Sequence, residues 1–424
     1  ACLEKEFSSI YIYNLKGAIR NQDREMVKKQ GQSVFNIMTG TAILILVKKN
    51  SNNGKANIYY REIDNYLNRK EKLESIKKIK SVATNSFVQR VIKPNKANDW
   101  LNQRSNLFTQ FTIIGDKKGK DKDRAVFTCN YSCGVQSNRD AWVYNFSPYK
   151  LKRISKKMVE NYNKQVGIYK KYHDKEKLSY DTHYVKWTSS LMPQLLKERY
   201  SQYKADAVVL TQYRPFEKQF LYFDPFFIHR PYLMPKLFPN SDPDCQNLLI
   251  CTPSIGDKKG FDCLISKYMV DLHFTQTSQC FPLYWYEEKP LEREGNLFEE
   301  KKDDGPVYVR HDGVTDYIWN LAKKQYHTAA ITKKDIFYYV YGLLHSEDYR
   351  SEFAADLKKM LPRIPLVKKA ADFKDFVNAG RKLADLHLNY EKQTPPADVL
   401  VENDGDDYTV VKMKFPKKQD KSVI

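Results

Sequence analysis

The chain has 424 residues, enough for two or three domains each with its own core, and its 42% hydrophobic and 13% aromatic content excludes a disordered chain. Lys and Arg number 71 against 51 Asp and Glu, a formal charge of +20 that points to a polyanionic partner, most simply nucleic acid. Seven scattered cysteines argue for a reducing compartment rather than a disulfide framework, no apolar run reaches the length of a membrane span, and no signal peptide is expected from the opening residues.

Residues 7–15 alternate as a strand, and 41–48 (TAILILVK) form an apolar run expected of a strand buried on both faces. The Asn52-Asn53-Gly54 turn signal joins that run to NIYYRE, so 41–62 reads as a β-hairpin after a polar, basic segment at 16–33. A charged helix follows over 65–80. From Trp100 to Ser147 the pattern changes to short strands and loops. Cys129 and Cys133 lie close together without a partner pair at zinc spacing and read as buried thiols.

The stretch Tyr131–Ser147, YSCGVQSNRDAWVYNFS, puts a glycine and amide and guanidinium side chains ahead of an aromatic run. That composition suits a loop meeting hydrogen-bonding edges, and equally an ordinary polar turn between core elements. A helix is predicted at 152–176 and a second at 190–203, then two strands in 206–223, a proline-rich connector at 229–240 and strands at 247–252 and 261–273. Residues 280–289 are aromatic-rich and 290–308 form an acidic surface linker. The tail is helical. Thr332 to Asp335 forms a capping box with Asp in place of Glu, and Ile336, Phe337, Val340, Tyr341 and Leu344 share one face. Ser346 caps the next helix, and a third covers about 372–389.

There is no phosphate loop, no H-E-x-x-H, no nucleophile elbow and no EF-hand loop. Asp271 with Glu287 and Lys289 draws the one nuclease-like pattern, two carboxylates for Mg²⁺ and a lysine for the attacking water. Phe35, just ahead of an apolar strand, is placed either to stack on an unstacked base or to pack as a core phenylalanine.

Several long segments carry a resemblance. FSSIYIYNLKG, VFNIMTGTAILILVKK and ANIYYREI together resemble the second half of an N6-adenine DNA methyltransferase domain, from its fifth strand through its terminal hairpin. GVQSNRDAWVYNFS, YRPFEKQFLYFD, DLHFTQTSQCFPLYWYEE, KKDIFYYVYGLLHSEDYRSEFAADLKKMLPRIP and GRKLADLHLNYE resemble the type ISP restriction-modification enzymes. Those are single-chain proteins with nuclease, helicase-like ATPase, methyltransferase and target-recognition parts.

The resemblance implies an α/β plus α+β chain: the closing half of a methyltransferase-like sheet (1–80), a mixed α+β target-recognition domain (81–290), an acidic linker (291–308) and a helical C-terminal domain ending in an incomplete strand (309–424). It implies double-stranded DNA as partner, together with a missing methyltransferase half or upstream nuclease and helicase domains, in the bacterial cytoplasm. Gln136, Ser137, Asn138 and Arg139 become base-reading candidates. Lys150, Lys152, Arg153, Lys156 and Lys157 become phosphate clamps, Arg214 and Lys218 weaker contacts, and Phe35 a wall of the target-base pocket. Arg214 has a second reading, pairing a carboxylate beneath the domain.

The family's S-adenosylmethionine-binding glycine motif and its N-P-P-Y-type catalytic tetrapeptide do not occur, nor do the nuclease and ATPase motors. The chain is therefore expected to be a fragment or one subunit, with S-adenosylmethionine a cofactor of the intact enzyme, Mg²⁺ and ATP required only by restriction domains elsewhere, and no methyl transfer by this chain alone.

Overall fold

A computed structural model describes residues 2–19, 24–49, 54–83, 87–239, 245–256, 260–289 and 307–394. The predicted Asn52-Asn53 turn, most of the acidic linker and the final strand lie outside them. Residues Ala1–Leu388 form one compact unit; in the other, Asn389–Ile424, the described structure is a single 3₁₀ turn, Tyr390–Lys392.

The first sheet holds β1 (Ser9–Lys16), β2 (Thr41–Val47), β3 (Asn57–Glu62) and β4 (Arg90–Ile92) in the order β2-β1-β3-β4. The expected 41–62 hairpin does not form. β1 lies between its two arms, antiparallel to β2 and parallel to β3. One face packs Ile10, Ile58, Tyr60 and Ile92, the other Tyr13, Leu15, Val34, Ile63 and Phe87. Against that second face lies helix Arg69–Ile79, opened by the Asn68–Glu71 capping box. Its Lys72 is fully buried, and Nζ donates to the carbonyls of Leu15 and Gln30 at 2.8 Å each. The two C=O groups at these element ends thereby gain a donor that the ladders do not supply.

β2 corrects a second expectation. It is the edge strand, and Ile43, Leu44 and Ile45 are 38%, 48% and 39% exposed. Consecutive residues of a strand point to opposite faces, so apolar surface is open on both sides of it.

The remaining strands are short. β5 (Thr112–Ile113) pairs with β15 (Arg363–Ile364). β6 (Ser132–Cys133), β10 (Leu249–Pro253), β11 (Leu264–Ser266) and β12 (Ser278–Pro282) form a sheet in the order β11-β10-β12-β6. β7 (Tyr144–Asn145), β8 (Val208–Arg214) and β9 (Glu217–Tyr222) form a sheet in the order β7-β9-β8. β13 (Tyr284–Glu288) pairs with β14 (Tyr308–Asp312).

β10 shows why two cores hold together. It is buried along its whole length; Leu249 and Cys251 join one core, and Ile250 between them joins the other. The first core gathers the β7-β9-β8 sheet and the helix Pro148–Tyr172 through Tyr144, Leu151, Met158, Tyr162 and Leu221. In the second, helices Lys333–Leu344 and Ala370–Leu388 pack with Phe108, Phe127 and Phe281. The Thr332–Asp335 capping box and the Ser346 cap form as the sequence predicts, and the five apolar residues assigned to one helix face are all buried. The predicted helix at 190–203 shrinks to Met192–Leu196. Cys129 is exposed and Cys133 half-buried, against the expectation of two buried thiols.

Candidate nucleic-acid interface

The loop after β6 is threaded between two other segments. Val135 N–H donates to Val270 O at 2.8 Å, and Leu272 N–H donates to Val135 O at 2.8 Å. Gln136 and Arg230 exchange both backbone hydrogen bonds, at 3.0 and 2.9 Å. Gly134 permits the approach, since a Cβ there would meet Asp271 O at 2.4 Å.

The chain then turns outward. Asn138 is exposed and left-handed (φ 55°), a conformation its short polar side chain tolerates. Gln136 is half-buried; its Nε2 donates to Asn138 Oδ1 at 3.2 Å, and Tyr232 O–H donates to Gln136 Oε1 at 3.3 Å. These amides therefore sit at the surface as an oriented pair.

Ser137 and Arg139 face the other way. Ser137 is buried; its hydroxyl donates to the Asp140 carboxylate and accepts from Arg139 N–H at 3.1 Å. Arg139 is 1% exposed, which overturns its assignment as a base reader. Its guanidinium donates to Phe227 O at 2.6 Å and Thr188 Oγ1 at 2.7 Å, so it ties the loop to two distant segments. Burial lowers its pKa to about 10, which still leaves it charged at neutral pH.

A second network lies beneath. Arg214 donates to Asp271 Oδ1 at 2.5 Å and to Tyr213 O at 2.7 Å, and packs over the Tyr213 ring at 3.8 Å. Tyr213 O–H donates to Asp140 at 2.9 Å. Of its two readings, Arg214 thus takes the carboxylate-pairing one. Asp271 is buried, and its Oδ1 also accepts His273 N–H at 2.8 Å. Burial raises its pKa, with the His273 N–H and the Arg214 charge opposing that shift.

This disposes of the nuclease pattern. The Asp271 carboxylate is committed to Arg214 and a backbone N–H, while Glu287 is exposed on β13 beside His311 at 3.3 Å. Lys289 is exposed at the end of the same strand segment. Among the described residues no group of three His, Cys, Asp or Glu side chains is placed to hold a metal. Replacing Arg214 with Ala is expected to cost about 2 kcal/mol in a denaturant titration, because the arginine is partly exposed and Asp271 can take up a proton. Adding Asp271→Asn to Arg214→Ala should recover part of that loss; a double variant as unstable as the sum of the singles would refute the pairing.

The basic segment forms the start of helix Pro148–Tyr172, slightly earlier than predicted because Ser147 caps it and Pro148 occupies its first position. Lys150, Lys152, Arg153, Lys156 and Lys157 are all exposed, and none makes an ion pair among the described residues. At 100° per residue Lys150, Arg153 and Lys157 share one stripe of the solvent face, with Arg153 nearest its centre, and Lys156 and Lys152 lie on the other side of that centre. Interrupted by the exposed Glu160, the stripe continues through Lys164 and Lys171, which the sequence reading missed; extending the same periodicity would have found them. Lys218 on β9 lies 5.7 Å from the Tyr268 ring. Phe35 is 65% exposed in the turn before β2, which removes the core-phenylalanine reading.

A match to the Type ISP C-terminal specificity domain runs over residues 125–424, and the chain belongs to the Type ISP restriction-modification family.

Solved structures agree. A nuclease-deletion mutant of the Type ISP enzyme LlaGI, in complex with a DNA substrate mimic, is 33% identical at a TM-score of 0.76, with 98% of this chain covering 36% of that one. The ATP-dependent Type ISP enzyme LlaBIII bound to DNA is 32% identical at 0.76, with 98% and 26% covered. The DrdV–DNA complex is 27% identical at 0.71, with 95% and 38% covered. The chain thus spans a quarter to two fifths of the length of these relatives. No curated protein matches it.

Proposed function

We propose that this chain supplies sequence-specific recognition of duplex DNA within an adenine-specific (N6) methyltransferase of a restriction-modification system. The observation carrying this reading is the pair Gln136 and Asn138, presented at the surface on a loop whose underside is locked by buried Arg139 and Ser137. Asparagine and glutamine amides pair bidentately with adenine edges, and a rigid support lowers the ordering cost of doing so. The five cations at the start of the adjacent helix hold phosphates. Phe35 lines the target-base pocket. The working division places the methyltransferase-like part at 1–80, recognition at 81–290 and the helical part from 309.

The partner that completes the first sheet is the remaining methyltransferase half. β2 has the composition of an interior strand and stands at an edge with both faces open, which is what a strand awaiting a neighbour presents. S-adenosylmethionine would be held by that half. The residues present do not fit it: the sheet's two positive-φ glycines, Gly17 and Gly31, are closed by backbone, a Cβ meeting Ser33 Cα at 2.8 Å and Leu67 O at 2.2 Å. Mg²⁺ and ATP belong to motor and nuclease domains outside this chain.

The test is selection from a randomised duplex library at two salt concentrations. Enrichment of one short site, relaxed at one or two positions by Gln136→Ala or Asn138→Gly, is the expected outcome. Glycine is chosen because it removes the amide without straining the left-handed backbone. Negligible, salt-insensitive binding would refute the reading.

A further inference from the structure

We infer that Phe146 and Tyr149 form an aromatic wedge that enters and unstacks a base step of the bound duplex. The inference rests on the recognition reading above and adds a non-electrostatic contact to it. Phe146 is 68% and Tyr149 76% exposed, three positions apart at the start of the long helix. Single exposed apolar residues are ordinary, but two large rings so far out of the core, three positions apart, form a local apolar surface, and neither stacks on another ring among the described residues.

Their mounting is rigid. Asn145 Oδ1 accepts Ser147 N–H at 2.9 Å, Ser147 Oγ accepts Lys150 N–H at 3.3 Å, and Pro148 fixes the first helical residue. Directly before them β7 is paired to β9, Tyr144 opposite Leu221 and Asn145 opposite Phe220. The rings therefore project from a sheet edge and a capped helix, and presenting them to a ligand costs little further ordering.

The surroundings select the occupant. Lys150 lies about a turn from Phe146 and next to Tyr149, Arg153 lies about a turn beyond Tyr149, and both are exposed, so the surface around the apolar point is cationic. An apolar protein partner would gain nothing from that ring of charge, whereas a nucleic acid presents phosphates to the lysines and base faces to the rings. Apolar side chains flanked by basic ones are the usual device for opening a base step.

The test uses the full chain and a duplex with 2-aminopurine placed in turn at each position of the selected site. Wild type should raise the fluorescence at one step, reporting loss of stacking. Phe146→Ala with Tyr149→Ala should abolish that rise and weaken binding roughly ten-fold or more, with an unchanged salt slope and an unchanged melting temperature. Phe146→Leu should retain part of the signal, because it keeps a wedge without a ring. Wild-type binding with no fluorescence change at any position, or a double variant with wild-type affinity and signal, would overturn the wedge and leave recognition standing. Failure of the wild-type chain to bind DNA at all would overturn both.

Discussion

Arg139→Ala is expected to destabilise the recognition core by about 4 kcal/mol and to lower its melting transition by roughly 10 °C. The side chain is among the largest fully buried ones, so truncation opens a cavity. It also strands the carbonyl of Phe227 and takes from Thr188 Oγ1 its one long-range partner, leaving it the neighbouring Ser190 hydroxyl and Leu191 N–H. Arg139→Lys should recover little, because one ammonium on a flexible stem cannot span two acceptors that the planar guanidinium reaches from separate nitrogens. Asn138→Gly, one position away, should cost well under 1 kcal/mol, since its side chain is exposed and glycine keeps the left-handed turn. Thermal denaturation of the three variants separates a brace from a reader. An Arg139→Ala protein as stable as wild type, with altered site preference, would return Arg139 to the DNA-reading surface.

That contrast shows what residue types reveal and what they hide. The segment Gln136 to Arg139 announces hydrogen bonding, and its position ahead of an aromatic run announces a loop anchored in a core. Composition does not say which side chains turn outward. Here the left-handed residue at 138 sets the direction of the turn, and the acceptors that pull Arg139 inward come from Thr188 and Phe227. Both are far away in sequence, so no local pattern predicts the outcome. Arg214 differs, because a carboxylate partner was among its readings from the start, and only the identity of that partner, Asp271, required the fold.

The helices were legible for a related reason. Thr332 with Asp335, Ser346, and the spacing of Ile336, Phe337, Val340 and Tyr341 encode ends and faces locally, and the fold follows them. Strand partners are not encoded locally. The run Thr41–Val47 and the return Asn57–Glu62 look like the arms of a hairpin, yet β1 takes the place between them, through a parallel pairing that spans some forty residues. The same run reads as an interior strand and stands at an edge. Its composition answers to a neighbour that the described residues do not include.

The largest effect on affinity is expected from the basic helix. Replacing Lys150, Lys152, Arg153, Lys156 and Lys157 with Gln removes five charges while keeping residues of similar helix propensity. All five are exposed, so the core facing Leu151, Met158 and Tyr162 is untouched and circular dichroism should not change. If each holds a phosphate, the slope of log K against log salt should fall by about 0.9 per contact, by up to about 4.5 in all, and affinity near physiological salt should drop on the order of 10²- to 10³-fold. The site enriched from a randomised library at low salt should stay the same if, as proposed, these cations only position the protein on phosphates while Gln136 and Asn138 read the bases. Three single-charge variants along one stripe, at Lys150, Arg153 and Lys157, should each remove about one unit of slope if the duplex runs along the helix, and only Lys150 and Arg153 should do so if it crosses at the capped end. A five-fold variant with an unchanged slope would place the DNA elsewhere on the chain and leave the positive charge of this helix without a role in binding.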